Sequence, residues 1–170
     1  MEVYQRLREE AKKKLSLADH MLYVTYPLVK DPKLLLAVME NIFLALTHTL
    51  GSLLYYERMF KRVPPFFDTF ESKYRVFSEK CVERYGIEQE YLNLLRNVKE
   101  ILIAHKRSPI EFSRKDQFVI CSDDYQLKVL KISEIKEILA KTKEFNTRIE
   151  NILKELETKE SLPEKNKTSK

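Results

Sequence analysis

The sequence predicts a mainly α protein: an up-and-down bundle of about five helices with a small β-hairpin before the last one. Three observations carry that expectation. Glycine is nearly absent, 2 in 170 residues, and an interior Gly costs a helix about 1 kcal/mol relative to Ala. Apolar residues recur at three- and four-residue steps over long stretches, the period of a helix with one buried face. The prolines fall between those stretches, where a missing N–H does least harm.

Each element follows from local signals. A first helix is expected from about Glu2 to Tyr26, with Tyr4, Leu7, Ala11, Leu15, Ala18, Leu22 and Tyr26 as its apolar stripe and Pro27 as its stop. Asp31-Pro32 opens a second helix, Asp as N-cap and Pro at the first helical position, running to about Phe60. It is apolar nearly all round, which marks the central, most buried helix. Its length would span a bilayer, but Glu40, Asn41, Thr47, His48, Thr49 and Ser52 interrupt it, so a core helix is expected and no membrane. Val63-Pro64-Pro65 forces a break. A third helix carries Phe66, Phe70, Tyr74, Phe77, Cys81 and Tyr85 and stops at Gly86. A fourth places Tyr91, Leu94, Val98, Ile101 and His105 on one face and ends at Ser108-Pro109. Phe118–Cys121 and Leu127–Ile132 are β-prone runs around the turn-like Ser122-Asp123-Asp124-Tyr125. Ser133 is expected to cap a fifth helix with a heptad of Ile135, Ile138, Thr142, Phe145, Ile149, Ile152 and Leu156. Residues 1–157 form one domain, and 158–170, polar and Lys-rich, form a disordered tail.

Composition bounds the function. The hydrophobic share of 44% is enough for a core, and the charged share of 34% is high. Many Lys and Glu with little Gly suit a heat-adapted source. A net charge of +5 and pI near 9.0 permit contact with nucleic acid or another anionic surface. Cys81 and Cys121 stand forty residues apart without a C-x-x-C spacing, and His20, His48 and His105 supply no spaced pair, so neither a metal nor a cofactor is expected. The cysteines are read as reduced. The N-terminus lacks the apolar core of a secretory signal, and the expected compartment is the cytoplasm. No Gly-rich phosphate loop and no nucleophile elbow occur. Asp123-Asp124 reads as a turn.

Three constellations remain. Asn41, Ala45, His48 and Ser52 share one face of the second helix, either as a close crossing at small residues or as the wall of a polar cleft holding Asn41 and His48. Arg96, Asn97 and His105 lie on the fourth helix, with Arg96 and His105 about 13.5 Å apart along its axis. Lys106, Arg107, Arg114 and Lys115 follow, with Phe112 and Phe118 beside them, the pairing of cations and aromatic rings that clasps phosphates and stacks bases.

The long first helix with Ala11 and Ala18, the buried second helix, and the late helix carrying Arg96-Asn97 and His105 resemble the HEPN (higher eukaryotes and prokaryotes nucleotide-binding) superfamily over about residues 1–157. The resemblance implies an up-and-down helical bundle, often a homodimer. Many such proteins are ribonucleases or partners of small nucleotidyltransferases in toxin–antitoxin pairs. In the ribonucleases an Arg precedes a His by four to six intervening residues; here eight separate Arg96 from His105. By that resemblance His105 would move protons and Arg96 would stabilise phosphoryl charge, with Asn97 and the basic loop holding RNA or a nucleotide. The expected function is therefore an RNA- or nucleotide-binding module, a divergent or inactive ribonuclease. The alternative is a protein–protein interaction module without chemistry, using the fifth helix or the hairpin.

Overall fold

The computed structural model describes residues 1–107, 111–114, 117–121 and 127–161. They form a mainly α bundle. Helix α1 covers 3–29 in three consecutive parts, an α-helix Val3–His20, a π-helical turn Met21–Thr25 and a last α turn Tyr26–Val29. Helix α2 is Lys33–Met59. Helix α3 covers 70–85, again with a π turn, Phe77–Cys81, between Phe70–Val76 and Val82–Tyr85. Helix α4 is Gln89–Arg107 and helix α5 is Ile132–Ser161. Between them lies a three-stranded antiparallel sheet in the order β1 (Glu111–Arg114), β2 (Gln117–Cys121), β3 (Leu127–Lys131).

Helix α1 begins with a reciprocal cap in which the Glu2 backbone N–H donates to Gln5 Oε1 at 3.0 Å. Its expected stripe is buried apart from the half-buried Leu7, Ala11 and Ala18 completely. Pro27 does not end it. The preceding π turn widens the helix, and the missing Pro N–H falls where the bonding pattern has already shifted by one residue. The stop comes at Lys30, whose φ of 52° turns the chain left-handed while its N–H bonds Tyr26 O at 2.7 Å. Helix α2 begins one residue later than expected, with Pro32 as N-cap and Lys33 as the first helical residue, and Asp31 just outside accepts the Lys33 N–H at 3.0 Å.

Helix α2 is the centre of the bundle. Leu35, Val38, Met39, Ile42, Leu46, Leu50, Leu53 and Leu54 are all fully buried. Among the described residues it is the one helix long and apolar enough to cross a membrane, and half of its most apolar window is buried inside the protein. Its polar line is chiefly a close crossing. A Cβ added at Gly51 would stand 3.0 Å from Leu7 Cδ1 of α1, and Ala45 and Ser52 are buried in the same crossing.

Helix α3 starts at Phe70, four residues later than Phe66, because Thr69 caps it by accepting the Ser72 N–H at 3.2 Å. Gly86 ends it with φ 61°, as the sequence requires. Phe145 of α5 meets Phe77 edge-on at 6.1 Å and Tyr91 at 5.3 Å, which locks α3, α4 and α5 around one ring. The expected hairpin is β2 with β3, Val119 opposite Val129; strand β1, in what reads as a basic loop, adds a third strand with Phe112 opposite Val119. The chain passes from β3 directly into α5, so Ser133 lies inside the helix instead of capping it. Helix α5 runs on to Ser161, four residues into the segment expected as tail, because Glu160 is held by Tyr56 and by Arg62 at 2.7 Å. Residues 162–170 lie outside the described residues.

Candidate nucleic-acid interface

The structure separates the residues expected to act together. Nine positions on an ideal helix turn by about 180°, so Arg96 and His105 point to opposite sides of α4 as well as lying about 13.5 Å apart along it. Arg96 is exposed and donates through Nε to the Tyr74 hydroxyl at 3.0 Å. His105 lines a groove with Glu40, Phe43 and Leu44 of α2. Within one chain they form no catalytic pair. Asn97 opens onto a different groove, where Glu90, Glu134 and Glu137 outnumber Lys141. A phosphate there would meet three carboxylates, so Asn97 is poorly placed to bind nucleic acid. Lys115 and the side chains of Lys106, Arg107 and Arg114 lie outside the described residues.

The polar cleft does not assemble either. Asn41 turns back to its own helix and to α1, donating to Ala37 O at 2.8 Å and to Met21 Sδ at 3.7 Å. His48 is half-buried, and that burial holds its imidazole below the ordinary value near 6.5. Glu10 and Asp68 oppose the shift, while Lys73 and Lys14 add to it. Neither Asn41 nor His48 lines the groove that holds His105.

What the fold does assemble is a face of cations lying on aromatic rings, built from α2, the 60–69 link, α3 and α4. The Lys99 ammonium sits 5.1 Å from the Phe43 ring centroid and 5.4 Å from that of Phe70. Phe70 stacks on Tyr74 at 5.6 Å, one turn along α3, and Arg96 lies 5.9 Å from the Tyr74 centroid. Further along α2, Lys73 and Arg58 flank Tyr55 at 5.8 and 5.9 Å, and Arg58 also covers Phe66 at 5.4 Å. From Phe43 to Tyr55 the row spans about 18 Å. Beside it Phe67 is 77% exposed, although its backbone N–H is anchored to Ser72 Oγ at 2.9 Å. A large apolar ring held in water on a fixed backbone is a ready stacking platform.

Each cation–ring contact is worth only about 0.5–1 kcal/mol at an exposed site, yet together they fix where the charges stand. Four carboxylates border the row: Asp68, Glu71, Glu40 in the groove beside Lys99, and Glu100 near Arg96. Lys73 pairs with Asp68 at 2.6 Å, and Lys99 reaches Glu71 only at 3.9 Å. Among the described residues no carboxylate lies within ion-pair distance of Arg58 or Arg96. These rings read in sequence as core spacing. The visible signals were the i,i+3 and i,i+4 pairs Tyr55/Arg58, Phe70/Tyr74 and Arg96/Lys99, which become meaningful only once α3 is laid across α2.

The opposite kind of charge cluster closes the end of the bundle where α1 begins and α2 and α5 finish. Glu57, fully buried, accepts from Arg62 at 2.5 Å and Arg84 at 3.2 Å. Arg8 donates to Glu150 at 2.9 Å and to Glu157 at 2.5 Å. Burial pushes the nearby Cys81 thiol up to about 12, and Glu57 adds to the shift, so this cysteine is no nucleophile. Among the described residues no group of three or more His, Cys, Asp or Glu side chains is placed to hold a metal ion.

Compared with known proteins, the chain matches no family model, no curated protein and no solved structure.

Proposed function

We propose that the chain is a cytoplasmic, HEPN-like helical module that binds single-stranded RNA along the α2–α3–α4 face, without cleaving it. The single observation that carries this reading is the row of Arg58, Arg96 and Lys99 resting on Tyr55, Phe66, Phe70, Tyr74 and Phe43, with Phe67 exposed beside it. A cation parked on a ring keeps N–H donors turned outward to phosphate, and an exposed ring offers a π-face that any base can use. Single strands fit better than duplexes, whose bases are not available for stacking. The net charge of +5 favours the encounter.

The half-turn between Arg96 and His105 leaves no catalytic pair within one chain, which favours binding over cleavage. Labelled single-stranded RNA incubated with the purified protein should shift on a native gel at low salt, lose that shift at high salt, and stay intact on a denaturing gel. Cleavage abolished by His105→Ala would overturn the non-catalytic part; no shift at low salt would overturn the whole reading.

A second reading, a homodimer, rests on a separate feature. Leu17, Val24 and Leu28 stand 45%, 47% and 82% exposed on α1 at heptad spacing with the partly buried Met21. Such a stripe suits a second copy of the same helix. It replaces α5 as the docking face, because the α5 heptad from Ile135 to Ile152 is spent in the core. A Val24→Glu/Leu28→Glu variant that sediments as wild type would remove it.

A further inference from the structure

We infer that the groove between α2 and α4 is a pocket for one unpaired guanine, its phosphate held by Lys99; the inference rests on the nucleic-acid reading above. The groove encloses about 320 Å3 and is lined by Phe43 and Leu44 from α2 and Leu102 and Ile103 from α4, with Glu40, Lys99 and His105 as its polar groups. That volume is at the lower end of small-ligand sites, and the mix of an apolar lining with few polar groups is their usual chemistry. Leu44 is 39% exposed, an apolar side chain left facing water at the mouth.

The polar groups decide what fits. Lys99, fixed over Phe43 and Phe70 at 5.1 and 5.4 Å, supplies a positive charge. Glu40, one residue before Asn41 on α2, supplies a carboxylate, an acceptor with no donor of its own. An apolar anion such as a fatty acid satisfies Lys99 and is repelled by Glu40. A ligand that satisfies both must combine a flat or apolar body with a negative group for Lys99 and a hydrogen-bond donor for Glu40. A nucleotide with donors on its base edge has that form. Guanine presents two adjacent donors, N1–H and N2–H, matched to the two oxygens of one carboxylate, whereas adenine and cytosine offer an amino group beside an acceptor. Uracil offers a single N–H between two acceptors, which would face Glu40 unfavourably. The groove is contiguous with the phosphate-binding row through Phe43 and Lys99, so a strand lying on the row can deliver a base into it.

The ligand chemistry is a guanosine 5′-phosphate unit, and it can arrive as a free nucleotide or within a strand. Binding of 5′-GMP, 5′-UMP, a guanine-containing pentaribonucleotide and pentauridylate should be measured by titration calorimetry on the wild type and on Glu40→Gln. The inference expects the guanine ligands to bind at least tenfold tighter than their uracil counterparts, with Glu40→Gln erasing that preference chiefly by weakening the guanine ligands. Equal affinity for guanine and uracil ligands, or a preference that survives Glu40→Gln, overturns it. If both pentamers bind equally, the groove proposal fails and the RNA-binding face stands. If GMP binds with Glu40 dependence while no oligomer binds, the face fails and the pocket stands as a free-nucleotide site. If nothing binds, both fall.

Discussion

Two regions of this bundle use the same side chains for opposite ends. At the end where α1 begins and α5 finishes, Arg8, Arg62 and Arg84 are met by Glu57, Glu150, Glu157 and Glu160 at 2.5–3.2 Å. There arginine charges are paired with carboxylates, although Arg62 Nη2 and Glu57 Oε1 stay buried without a hydrogen-bond partner, and Arg62 is also stacked on Phe60 at 4.8 Å. On the α2–α3–α4 face, Arg58 and Arg96 rest on rings with no carboxylate in ion-pair range among the described residues, and Lys99 is held only loosely by Glu71 at 3.9 Å. A ring positions a cation without neutralising it. The first arrangement fastens helices together, and the second leaves charge available to a ligand.

The largest effect should come from breaking the fastened end. Glu57→Ala removes a fully buried carboxylate that serves two arginines, leaving Arg84 without its anion and Arg62 with Glu160 alone. It should cost about 3 kcal/mol of stability, measured by urea denaturation, with RNA affinity unchanged at temperatures where the variant is folded. A loss below about 0.5 kcal/mol would show that water replaces the carboxylate and that the cluster fastens nothing.

An intermediate effect should come from the open face. Phe67→Ala removes a ring that is 77% exposed, so stability should stay within about 0.5 kcal/mol of wild type. RNA binding should weaken by about 1–2 kcal/mol, the loss of one stacked base, read by fluorescence anisotropy. Equal affinity in this variant would demote Phe67 to an ordinary surface residue.

The smallest effect is on acid sensitivity. Burial raises the Glu150 carboxyl, but hydrogen bonding and charge from Arg8, joined by Lys12, more than offset it and hold it below the ordinary value near 4.5. A lowered folded value means stability that is fully present above about 4.5 and lost as pH falls through the lower one. Urea midpoints should therefore drop on acidification, and the drop should shrink in Arg8→Met. An identical acid dependence in that variant would remove Arg8 as the cause.

Much of the fold was legible because it depends on local periodicity. The α1 stripe, the buried α2, the left-handed Gly86 and the α5 heptad all follow from spacing along one chain segment. Boundaries were less so. Pro27 reads as a stop, and nothing local announces that a π turn will carry the helix past it. Ser133 reads as a cap, but β3 enters α5 without a loop. The site was least legible. Arg96 and His105 looked related because they share a helix, although nine residues put them on opposite sides. The Lys99 contacts with Phe43 and Phe70 join three helices distant in sequence, and no periodicity within one segment encodes which ring a cation will meet.

The most direct test of the open face is the salt dependence of binding of a fluorescein-labelled single-stranded RNA to the wild type and to the Arg96→Ala/Lys99→Ala variant. Two phosphate contacts on a single strand release counterions worth a slope of about 1.4 in log Kd against log salt. The account predicts that the variant folds like the wild type, binds about tenfold or more weakly at low salt, and loses about that much slope. A variant that keeps both the affinity and the slope of the wild type would contradict it.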